Sequence, residues 1–152
     1  MLLQAGHWLG KGSLLVAGQS LGQGISCDVD VSHQDAEFNI GAEIDIKELG
    51  ARALSIRVVA NEEGTYTVDV RTLAGAYSGV AKLESAPNLG MLWNEAGTTY
   101  VSFTLFAIQD GYGFRGFLRD AGTTYTWEIA FSLKHEVVGG DNVVSLANRR
   151  RR

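Results

Sequence analysis

Glu63-Gly64-Thr65-Tyr66, Glu95-Ala96-Gly97-Thr98-Thr99-Tyr100 and Asp120-Ala121-Gly122-Thr123-Thr124-Tyr125 are three versions of one phrase. Each sets an acidic residue and a glycine just before a Thr/Tyr-rich, alternating run. Glycine accepts the positive backbone angles of a tight reversal. Threonine and tyrosine favour the pleated, half-buried surface that follows. The same device used three times predicts a meander of similar hairpins.

Read outward from these turns, the chain divides into about ten strands joined by short links. His7 to Ala17 is a long first strand broken by Gly10 and Gly12. Ile25 to Val31 sets Cys27, Val29 and Val31 on one face and Asp28 and Asp30 on the other. Phe38, Ile40, Ala42, Ile44 and Ile46 take every second position of the third strand, opposite Glu43 and Asp45. Further strands are expected at Leu54–Ala60, Thr65–Leu73, Gly75–Glu84, Leu89–Trp93, Thr98–Ile108, Tyr112–Arg119 and Thr123–Leu133. Met1 to Ala5 reads as a helical lead-in. Asp141 begins either a brief terminal helix or an eleventh strand.

Short links imply antiparallel neighbours. A meander this long must protect its edges, and closure does that most simply. The fold expected is all-β: an up-and-down antiparallel barrel of about ten strands, with a two-sheet sandwich as the alternative. Tyr77-Ser78-Gly79 and Phe114-Arg115-Gly116 each place an aromatic two residues before a mid-strand glycine. Glycine there lets a strand coil sharply, as closure requires.

The chain has 152 residues, 45% hydrophobic and 20% charged, with Gly 19 and Pro 1. That size predicts one domain, 1–148, followed by a basic tail, Arg149 to Arg152. Setting that tail aside leaves 9 basic against 17 acidic residues, a net −8. An acidic body disfavours nucleic acid as a partner. Cys27 is the only cysteine, so no internal disulfide forms, which fits a reducing, cytoplasmic setting. It reads as a small core residue. Leu2-Leu3 is too short for a signal peptide, and no apolar run is long enough to span a bilayer.

Gly6-His7-Trp8-Leu9-Gly10-Lys11-Gly12 fits G-x-W-x-G-x-G on an opening strand. With the meander that follows, it resembles the calycin superfamily: lipocalins, fatty-acid-binding proteins and nitrobindin-like barrels. The resemblance implies that Trp8 closes the base of a barrel that holds a small apolar or amphipathic molecule. Gly18 to Gly24 leaves no room for the helical pair of fatty-acid-binding proteins. Arg115 has Phe117, not tyrosine, two residues on, so their carboxylate clamp is not repeated. Nitrobindin-like barrels bind haem through a histidine near the C-terminus, which makes His135 the candidate haem ligand here; no other cofactor is predicted.

Other chemistry finds little support. His7, His33 and His135 have no metal-ligand spacing. Asp28/Asp30 and Glu43/Asp45 read as the solvent face of amphipathic strands. Gly111-Tyr112-Gly113-Phe114-Arg115-Gly116 matches G-x-G-x-x-G by letters but lies between strands, so it is no dinucleotide loop. The aromatic residues carry the functional reading, because flat rings offer apolar contact area. The expected site is ligand-binding: Trp8, Trp93, Tyr112, Arg115 and Trp127 line the pocket, with Arg115 or Arg57 facing any acidic head group. No catalytic residue is assigned. The expected protein is a bacterial-type small-molecule binder. An enzyme on the same barrel, isomerase-like or haem-dependent, is one alternative. A structural module, associating as a homodimer, is the other.

Overall fold

A computed structural model describes residues 1–134 of the chain. They form β1 (Gly6–Val16), β2 (Gln23–Gln34), β3 (Glu37–Ile46), β4 (Gly50–Ala60), β5 (Tyr66–Thr72), β6 (Gly75–Lys82), β7 (Asn88–Asn94), β8 (Thr99–Ile108), β9 (Gly111–Asp120) and β10 (Thr123–Leu133). Each strand pairs antiparallel with its sequence neighbours, and β1 pairs with β10 from Trp8↔Leu133 to Val16↔Tyr125. That last ladder closes the sheet into an up-and-down barrel and excludes the sandwich. His135, the Asp141 segment and Arg149 to Arg152 lie outside the described residues.

The repeated turns behave as their sequence demands. Gly64, Gly97 and Gly122 have φ of 82°, 74° and 87°. In two of the turns an asparagine clasps the following threonine. Asn61 Nδ2 donates to Thr65 Oγ1 at 3.2 Å, and Asn94 Nδ2 donates to Thr98 Oγ1 at 2.9 Å. This Asn-to-Thr spacing of four residues was present in the sequence beside the glycines. It satisfies polar groups that a bare reversal would leave to water.

The two mid-strand glycines singled out above stand where neighbouring strands approach closely, as do Gly12 and Gly111. A Cβ on Gly79 would lie 1.8 Å from the Met91 carbonyl oxygen, and one on Gly116 would lie 2.4 Å from that of Ser102. Neighbouring backbones approach too closely there for any side chain. Elsewhere a ring covers a glycine directly across the ladder, as Phe131 covers Gly10 and Phe103 covers Gly90.

The apolar positions of the third strand face inward as the alternation predicts. Phe38 and Ile40 are buried, whereas Ile44 and Ile46 are half-buried. The same gradient runs through Ile56, Val70 and Tyr77 on β4 to β6, whereas Leu14, Gln23, Leu92 and Thr99 stay buried at the same end of β1, β2, β7 and β8. Trp8, Phe38, Tyr66, Leu105, Tyr112 and Phe131 fill one end. Met1 to Ala5 is not helical. Five residues are too few to nucleate a helix in isolation. Instead Trp8 Nε1 donates to Gln4 O at 2.9 Å, and His33 Nε2 lies 3.0 Å from Leu3 O. Leu2 and Leu3 pack against the core and cover that end.

Candidate functional site

The site is the opposite end of the barrel, reached between the β1–β2, β3–β4, β5–β6, β7–β8 and β9–β10 turns. Its inward wall carries Ile44, Ile56, Val70, Tyr77, Val101 and Trp127, all partly exposed although they face inward. These partly exposed side chains form the vestibule side of that end, beside Leu14, Leu92 and Thr99, which are buried. Trp127 is held by Phe114, ring centroids 5.6 Å apart, and by the bare backbone at Gly116.

Two polar atoms inside this end lack a partner among the described residues. Gln23 Oε1 and Trp127 Nε1 are buried and make no hydrogen bond to any described residue. Gln23 is the first residue of β2 and shares its inward parity with Ile25, Cys27 and Val29. Asn88 Oδ1 is also unpartnered, but it lies toward the closed end, opposite Leu105.

The expected pocket residues divide. Trp127 lines the vestibule. Trp8 and Tyr112 face inward at the other end, packed edge to face with centroids 5.0 Å apart, and both line a cavity there. Trp93 and Arg115 face outward, contrary to expectation. Trp93 is 42% exposed on the outer side of β7, between inward Leu92 and Asn94. Arg115 lies over the outer ring of Phe106 at 5.0 Å and pairs with Glu128 at 2.9 Å. Arg57 is likewise outside, donating from Nε to Glu37 at 2.7 Å. Each of these cations meets a carboxylate across an outer ladder, because its strand register puts it on the same face as the acid. Neither reaches a ligand inside. The acidic pairs also lie outside, where Asp28 and Asp30 flank His7 at 2.7 and 2.6 Å. Among the described residues no group of three or more His, Cys, Asp and Glu is placed to hold a metal ion, and no helix is long and apolar enough to cross a membrane.

Two other concavities exist. One of about 380 Å³ lies at the ring-packed end, lined by Met1, Leu2 and Gln4 together with Trp8, Tyr112 and Leu133. One of about 360 Å³ is an outer groove among Lys11, Asp28, Glu43 and Asp45. Neither is lined by a buried, unpartnered polar atom, which the vestibule has twice. The vestibule is therefore the stronger candidate.

Burial holds three titratable groups in their neutral forms. Burial pushes the Cys27 thiol up to about 11. Burial, and then the hydrogen bond that Tyr66 donates to Glu84, push the Tyr66 phenol up to about 12. Burial raises the Tyr112 phenol further still. A thiol held protonated is a poor nucleophile, in line with the core role read from the alternation. The folded chain keeps protons that the unfolded chain begins to release near pH 9, so stability falls as pH rises. Urea midpoints are expected to be flat from pH 7 to 8.5, then to drop through pH 11, with Cys27→Ala removing the earliest part of the drop. No known family model matches this chain, and no curated protein matches its sequence.

Proposed function

We propose that this barrel is a container for a small hydrophobic or amphipathic molecule, a calycin-like role played in a reducing, cytoplasmic setting. The observation that carries the reading is the contrast between the two ends. One is packed with rings and covered by Leu2 and Leu3. The other leaves inward apolar side chains partly exposed. Burying that surface would favour an apolar guest by about 25 cal/mol per Å² removed from water. Native mass spectrometry of the purified chain tests this. A co-purifying small molecule released on denaturation is the expected result. A bare protein mass that stays bare after incubation with medium-chain alcohols would overturn it.

A second reading, self-association, has its own observation. The outer faces of β6, β7 and β9 expose Val80 at 50%, Leu89 at 45%, Met91 at 39%, Trp93 at 42% and Phe117 at 37%. Val80 pairs with Met91, Met91 with Ser102, and Ser102 with Phe117, so three of these side chains share one row. Apolar side chains clustered on one outer face, here interrupted by Ser102, favour a contact surface. Sedimentation equilibrium is expected to give a dimer that Trp93→Glu converts to monomer. A wild-type monomer at high concentration removes this reading.

A further inference from the structure

We infer that the guest is an uncharged amphiphile whose single polar group, a hydroxyl or its equivalent, is held between the Trp127 indole N–H and the Gln23 side-chain carbonyl; the inference rests on the container reading above. Leu14 joins the two residues. It pairs with Gln23 across the β1–β2 ladder and with Trp127 across the β1–β10 ladder. Gln23 and Trp127 therefore flank it on one inward row, their backbones about 10 Å apart by two strand spacings. Gln23 is 9% exposed, and its Oε1 has no donor among the described residues. Trp127 Nε1 has no acceptor among them. A buried donor or acceptor without a partner is costly, and native proteins rarely leave one without a reason. One free donor and one free acceptor on the same row complement a group that both accepts and donates. A hydroxyl does both.

Charge excludes the anionic alternative. Neither anchor is ionised, and among the described residues no cation faces them from inside. Arg57 and Arg115 point outward to Glu37 and Glu128. Arg52 has inward register opposite Ile44, but it stays exposed at the rim and turns back to donate to Ala51 O at 3.1 Å. Lys82 is outside, on Ser85 and Pro87. Arg119 is outside too, on Thr124. A carboxylate drawn down to Trp127 and Gln23 would lose its hydration with no counter-charge. A neutral head group avoids that cost. The partly exposed ring of Trp127 meets an apolar body, beside buried Leu14.

Isothermal titration of the full chain at pH 8 with 1-octanol, octanoate and 1-methoxyoctane tests this. The three share one chain length; the first donates and accepts, the second is ionised, and the third only accepts. Octanol is expected to bind about tenfold tighter than either, the worth of one hydrogen bond at a buried site. Gln23→Leu should weaken octanol to the level of the ether and leave the ether unchanged. Trp127→Phe, which keeps a ring and removes the N–H, should weaken both. Thermal melting checks that each variant is folded; if one is not, the wild-type ranking alone decides. Octanoate binding as tightly as octanol, or octanol binding untouched by both substitutions, overturns the anchor while the container stands. No heat of binding with any of the three overturns the container, and the anchor with it.

Discussion

Replacing Trp8 by alanine is expected to destabilise the barrel by about 3–5 kcal/mol, the range for removing a buried aromatic side chain. Trp8 is 5% exposed and packs edge-on against Tyr112, which in turn stacks on Phe131 at 5.1 Å. Its indole N–H also ties down Gln4, and with it the segment that covers this end. The substitution therefore opens a cavity, loosens the cover and exposes Tyr112 in one step. Domains are commonly stable by only about 5–15 kcal/mol, so the loss should be plain in a urea transition. Trp93→Ala is the matched control. Its ring is outside and 42% exposed, so its effect should stay within about 0.5 kcal/mol. Equal losses for the two tryptophans would mean that the inside and outside of β7 are misassigned.

Gly79→Ala should be nearly as damaging although it adds a single methyl group. The new Cβ would stand 1.8 Å from the Met91 carbonyl oxygen and 2.8 Å from Leu92 Cα, both backbone atoms. A flexible side chain could swing aside; a ladder cannot, without breaking the β6–β7 hydrogen bonds. The expected cost is about 3 kcal/mol, the upper end for overpacking, with a lower thermal midpoint and poorer soluble yield. Gly41→Ala supplies the contrast. Gly41 points outward on β3, and nothing lies within 4 Å of its added Cβ. A gain of about 0.4–1 kcal/mol is expected there, because alanine restricts the unfolded chain. If both glycines tolerate alanine equally, tight coiling at Gly79 does not close this barrel.

The two glycine positions also mark how far local reading reached. Tyr77-Ser78-Gly79 and Phe114-Arg115-Gly116 announced a bend by their composition, and the backbone contacts at both sites have that cause. The three Gly-Thr-Tyr turns were equally legible, since a tight reversal needs the positive φ that glycine takes without strain. The third strand was plain because its two faces differ in polarity, so its parity could be read without neighbours.

Trp93 and Arg115 were misplaced for the converse reason. Leu89-Gly90-Met91-Leu92-Trp93 is apolar on both faces, so alternation cannot say which one turns inward. Gly90 takes the inner face because the Phe103 ring fills the space above it, and that ring comes from the next strand. Gly116 does the same beneath Trp127, which turns Arg115 outward to Glu128.

By itself, then, the order of residues determined ten strands, their turns and the closure they favour, because those depend on backbone angles and on neighbours two residues away. Tertiary structure alone decided which face of the apolar strands is lined, which end is packed with rings, and that Gln23 and Trp127 share a row through Leu14. Those outcomes depend on ladder register and ring packing between segments far apart in the chain, and no local pattern carries that information.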